Sequence, residues 1–195
     1  SFQYAIGVTL ARLHELTSNE EYLRKAAKAF AEAAELYEKV DLKNRVAECQ
    51  CKSALAHDAL GEHLKAAENF DLASDDYKIV SERVSQIKNF YSEHASYMAA
   101  WSEIEKARHH HDKQEYGLAK GYYERAATIH TSLRHWSYLA LNYSAWAQVE
   151  EAEDLSRSEK SEEALSSFEQ AAKMFAETKK VLELKLGEIE DQDEK

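Results

Sequence analysis

The sequence predicts an all-α protein, a right-handed α-solenoid of about four antiparallel helical hairpins. Three observations predict it. Pro is absent and Gly occurs only five times in 195 residues, so the residues that punctuate strands and hairpins are missing over the whole length. Ala, Glu, Lys and Leu, all good helix formers, fill the space. An order of small, aromatic and small residues then recurs four times, as Ala26, Phe30, Ala33; Ala66, Phe70, Ala73; Ala119, Tyr123, Ala126; and Ala164, Phe168, Ala171.

Positions i, i+4 and i+7 share one helix face, and alanine at the outer two lets a neighbouring helix approach while the aromatic fills the gap. Tyr37, Tyr77, His130 and Phe175 lie seven residues beyond the central aromatic and continue that face. Each such helix needs a partner, and the preceding segments supply one. These are "AIGVTLARLHEL", "RVAECQCKSALAHDAL", "ASYMAAWSEIEKARHH" and "LALNYSAWAQVEEAEDL", all with apolar residues at helical spacing. Ser18 and Glu21 form a capping box that opens the second helix, and Gly61 marks the turn before the fourth. Between Ser81 and His111 neither Gly nor Pro interrupts the run, which leaves one long helix or two open there. The last helix is expected to reach about Leu186 with Gly187 as its stop. One domain over 1–187 is therefore predicted, with a frayed acidic tail over 188–195.

Composition bounds the function. A formal charge of −11 argues against a nucleic-acid partner, because affinity for a phosphate backbone rests on clustered Lys and Arg. No apolar run of about 18 residues is present, so no membrane insertion is expected. The N-terminal segment "SFQYAIGVTLARLHELT" lacks the basic start and long apolar core of a signal peptide, and without an initiator Met the chain reads as processed or as a piece of something larger. Cys49 and Cys51, two residues apart, point roughly 200° away from each other on a helix and read as reduced thiols of a cytoplasmic chain.

"ALGEHLKAAENFDLA" resembles the turn and second helix of the tetratricopeptide repeat, with Gly61, Ala66, Phe70 and Ala73 in the expected order. Gln50, Ser53, Ala54 and His57 depart from the Trp, Leu, Gly and Tyr favoured in that motif's first helix, and the Pro between repeats is missing. Offsets of 40, 53 and 45 residues between Ala26, Ala66, Ala119 and Ala164 exceed the roughly 34 of a standard unit. In this, "AFAEAAELYEKVDLKNRVAECQCKSA" is similar to the long-helix, SNAP-like adaptors of vesicle-fusion ATPases.

The resemblance implies a non-enzymatic scaffold or adaptor that binds a helix or peptide of another protein in a concave groove. In a common register, Val8, Glu48, Trp101 and Trp146 occupy one position of the first helices, followed by Ala11, Cys51, Ile104 and Val149, then by Glu15, Leu55, Arg108 and Glu153. From these, Trp101, Ile104, Arg108, Trp146, Val149 and Leu55 are the candidate partner-binding residues, Trp and Arg being common interface anchors. The alternative for the tryptophans is burial between hairpins. The Lys and Asn that clamp chaperone C-termini in many tetratricopeptide domains are absent from these places, which disfavours a chaperone cofactor of that type.

Chemistry has less support in the sequence. "RHHHDKQEY" invites a metal, but His109, His110 and His111 diverge by about 100° per residue on a helix. The four-residue pairs Glu105 with His109 and His111 with Glu115 offer two ligands each, so no metal or cofactor is expected. Runs such as "VEEAED" read as solvated faces, and no nucleotide or hydrolase fingerprint occurs. The rival functional readings are a helical bundle that binds a small molecule or metal, and a structural oligomerisation domain.

Overall fold

The computed structural model describes residues 1–193, with side chains to Gly187, and is helical throughout with no strand among the described residues. Eight helices follow in order: α1 (Phe2–Thr17), α2 (Glu20–Glu38), α3 (Lys43–Ala59), α4 (His63–Arg83), α5 (Lys88–Asp112), α6 (Tyr116–Ser132), α7 (Ala140–Arg157) and α8 (Ser161–Asp193). Single 3₁₀ turns at Ser85–Ile87 and Ser137–Leu139 precede α5 and α7. The stretch left open in the sequence thus holds two helices, parted where Val84 leaves helical geometry at φ −124°. At the other end α8 passes through Gly187 to Asp193, so that glycine is not the stop expected of it. An exposed glycine with no left-handed φ continues a helix at about 1 kcal/mol relative to Ala, and a stop needs the αL turn that is absent here. Part of the expected acidic tail lies beyond the described residues.

Helices pack on their neighbours in chain order within two compact units, the first running from Ser1 to Lys106 and the second from Ala107 onward. In the first unit, Phe70 of α4 lies in a core with Ala54 of α3, Ala66, Ala73 and Met98 of α5, and stacks on Trp101 at 5.9 Å. A smaller cluster joins Leu23 and Ala27 of α2 to Ala56 of α3. In the second unit, Tyr123 of α6 stacks on Tyr143 and Trp146 of α7, and Trp146 meets Phe175 of α8 edge-on. The eight alanines of the repeated pattern are all buried. Each admits a neighbouring backbone, and a fully buried aromatic between them contributes roughly 1.5–3 kcal/mol. Phe168 is the exception at 37% exposed, because no later helix among the described residues covers it.

One turn is built four times. Asp41, Gly61, Gln114 and Glu159 all have φ between 55° and 70°. In each case the following N–H reaches back to a carbonyl five residues earlier, as in Glu62 to His57 at 2.9 Å and Glu115 to His110 at 2.9 Å. The first hairpin turns differently. Ser18 takes the αL position that ends α1, and Asn19 rather than Ser18 caps α2 by accepting from the Glu21 N–H at 3.0 Å.

This shorter turn and an earlier start move α1 relative to the expected register. α2 begins six residues before Ala26, whereas α4, α6 and α8 begin three before their alanines. Gly7 of α1 lies against the Phe30 ring, as Ala54 of α3 lies in the core around Phe70, and Ala107 and Ala152 are fully buried at the matching places. In space Val8 therefore corresponds to Leu55 and not to Glu48, a slip of seven residues that keeps the same helix face.

Candidate functional site

The slip places Val8 and Leu55 side by side. Between α1 and α3 it opens a cleft of about 400 Å³, floored by Leu23 and Phe30 of α2, walled by Val8, Ala11 and Leu55, and rimmed by Arg12, Glu15 and Lys52. Val8 and Leu55 are 44% and 42% exposed, and both line this one cleft. Gly7 makes the floor possible, since a Cβ there would stand 2.7 Å from the Phe30 ring.

Below the cleft a polar network ties α1 to α3. Tyr4 donates to one Glu48 oxygen at 2.6 Å and Arg45 to the other at 2.7 Å. Burial pushes the Glu48 carboxyl up, but these two hydrogen bonds outweigh it and leave it below the usual carboxylate range. The hydrogen bond to Glu48, with burial, pushes the Tyr4 phenol up to about 12. Cys49 is buried and Cys51 half-buried, both as free thiols; burial pushes Cys49 up to about 11 and raises Cys51 as well, so neither is an activated nucleophile.

The six residues nominated from sequence divide by unit. In the first, Leu55 lines the cleft, Trp101 is half-buried against Phe70 and Tyr97, and Ile104 is fully buried. Ile104 is a core residue with no surface to offer a partner, and Trp101 takes the alternative role of packing between hairpins. In the second, Trp146 remains 40% exposed despite its contacts with Tyr123 and Phe175, while Arg108 and Val149 are half-buried.

The histidine run is dispersed, as its helical spacing requires. His110 contacts Glu115 at 2.6 Å and stacks on Tyr122 at 5.1 Å, whereas His111 turns to Glu150 at 2.9 Å. Burial pushes the Glu150 carboxyl up, and its bond to His111 offsets only part of that. Glu105, four residues before His109 in the sequence, meets His63 at 2.7 Å. Sequence spacing could not show this contact, because the partners lie 42 residues apart on α4 and α5. With Asp58 of α3 they form a cluster of three potential ligands.

Neither a family model, nor a curated protein, nor a solved structure matches the chain.

Proposed function

We propose that the chain is a non-enzymatic protein-binding scaffold, a tetratricopeptide-like solenoid of the long-helix type whose first helices hold an apolar helix or extended segment of another protein. One observation carries the reading, the cleft between α1 and α3 with Val8 and Leu55 exposed in its walls. An apolar floor with a rim of both charge signs suits a segment that buries a few aliphatic or aromatic side chains and meets charge at its edges. Trp146 offers a comparable anchor in the second unit. A charge of −11 favours a protein partner over nucleic acid, and among the described residues no helix is long and apolar enough to cross a membrane. Two protonated thiols suit a reducing compartment such as the cytoplasm.

The test uses a photo-crosslinking amino acid in place of Val8, with a second chain carrying it at exposed Glu68 on α4 as background. In native lysate, position 8 should yield a discrete protein adduct that position 68 does not. Leu55→Asp in the same chain should remove it while the helical circular-dichroism signal persists. Equal adducts at both positions, or an adduct indifferent to Leu55→Asp, would refute the assignment.

A further inference from the structure

Asp58, His63 and Glu105 come from three successive helices of the first unit, and their ligand atoms all lie within 4.8 Å of one another. We propose that these three side chains bind a zinc ion. The proposal is independent of the protein-binding reading, which uses none of the three.

Glu105 has no exposed surface, and a carboxylate in the protein interior costs several kcal/mol unless it is paired. His63 meets that requirement through Nδ1 at 2.7 Å from Oε2. The second unit shows how little the structural requirement needs. Glu150 lies 45 residues after Glu105, at the matching place in α7, and is also buried; one imidazole, His111, sits on it at 2.9 Å. The first unit brings a third group to the same place. At the positions corresponding to Asp58 and His63 the second unit carries His111 and Tyr116, and a neutral phenol is a poor ligand, so the complete set occurs once. Among the described residues no other trio of His, Cys, Asp and Glu converges in this way.

The donor set selects the ion. Two carboxylates and a neutral imidazole bring a charge of about −2, which a divalent cation neutralises. Zinc accepts imidazole nitrogen and carboxylate oxygen at about 2.0–2.2 Å, so tetrahedral ligands stand roughly 3.3 Å apart. The present spread, 2.7 Å at one pair and 4.8 Å at most, reaches that spacing through side-chain rotation. Calcium would need about six to eight oxygens, and magnesium binds mainly through water, so neither fits as well. Asp58 and His63 are only half-buried, so solvent reaches both. The turn between them is braced, with the Gly61 N–H donating to the Asp58 carbonyl at 2.8 Å and the Glu62 carboxylate on His57 Nδ1 at 2.6 Å. These bonds fix the backbone that carries both ligands and leave their side chains free to rotate onto the ion.

The experiment is calorimetric titration of the chelator-stripped full chain with zinc chloride at neutral pH. It is run in a His109→Gln, His110→Gln background so that those two imidazoles contribute no heat. One zinc per chain is expected, with micromolar or tighter affinity. Asp58→Asn, which leaves the buried His63–Glu105 pair intact, should weaken binding by roughly a hundredfold or more, and His63→Gln should abolish it. Zinc should also raise the melting temperature of the background chain but not of the Asp58→Asn chain. A folded background chain that gives no zinc heat overturns the proposal. So does binding that both substitutions leave unchanged.

Discussion

The seat of α1 on α2 makes a prediction in which one substitution has opposite signs at two glycines. At Gly7 an added Cβ would lie 2.7 and 2.8 Å from two carbons of the Phe30 ring and 3.0 Å from a third, against an ordinary carbon–carbon contact of about 3.5–4.0 Å. The Phe30 ring is buried and meets Tyr4 edge-on at 5.8 Å, so its retreat from Gly7 disturbs that contact or pushes the ring into the cleft. Helix propensity favours Gly7→Ala by about 1 kcal/mol, whereas forcing a packed ring aside by about 1 Å costs roughly 1–3 kcal/mol. The net expectation is a loss of about 1 kcal/mol. Gly121 lies inside α6 with its nearest neighbour, an Arg125 side-chain nitrogen, 3.9 Å from a Cβ placed there. Gly121→Ala therefore keeps the propensity gain and should stabilise by up to about 1 kcal/mol. Urea unfolding followed by circular dichroism reads both as shifts in midpoint at constant slope. Phe30→Leu, which trims the ring, should turn the effect of Gly7→Ala from loss to gain. If Gly7→Ala raises the midpoint as Gly121→Ala does, Phe30 is not what seats α1, and the cleft above it loses its floor.

Two further outcomes follow from burial. Phe70→Ala, emptying the core beside Ala54 and Met98, should cost about 3–5 kcal/mol, while Phe168→Ala, at a half-open site on α8, should cost under about 1 kcal/mol in the same urea assay. His130 is fully buried and stacked on Tyr143 at 5.1 Å, and burial pushes it from 6.5 down to about 4. The folded chain thus favours the neutral ring. Its contribution is complete above pH 6.5 and is lost as pH falls toward 4. At about 1.4 kcal/mol per unit, and discounting for partial screening, roughly 2 kcal/mol should disappear between pH 7 and 4.5, and His130→Phe should lack that part of the slope. Parallel pH profiles for the two chains would contradict this.

The helices and their inward faces were legible because period 3.6 is carried by small residues whose burial hardly depends on detail. Ala26, Ala66, Ala119 and Ala164 are buried as read. The turns were mostly illegible. Three of the four repeated ones put Asp41, Gln114 and Glu159 in the left-handed region that glycine marks only at Gly61. The register of α1 was misread because a slip of seven residues preserves the face, so periodicity alone cannot detect it. The same limit affects the nominated site. Leu55 and Ile104 occupy equally apolar stripes, yet one lines a cleft and the other is sealed, a difference set by what the neighbouring helix places opposite.

The cleft and the proposed zinc site are two outcomes at one repeated position. Lys52, Glu105 and Glu150 occupy the same register on α3, α5 and α7, yet the lysine is exposed at the rim of the cleft and the glutamates are buried. What differs is the hairpin that precedes each. Glu105 and Glu150 receive an imidazole, His63 from the start of α4 and His111 from the end of α5. At the level where α4 presents His63, α2 presents Leu23, which packs with Ala27 and Ala56 and can pair with no acid. A buried carboxylate beside Leu23 would have no counter-charge, so that position carries a solvated cation and the space above Leu23 stays open. Leu23→His together with Lys52→Glu would transplant the buried pair, and by the same reasoning would close the cleft.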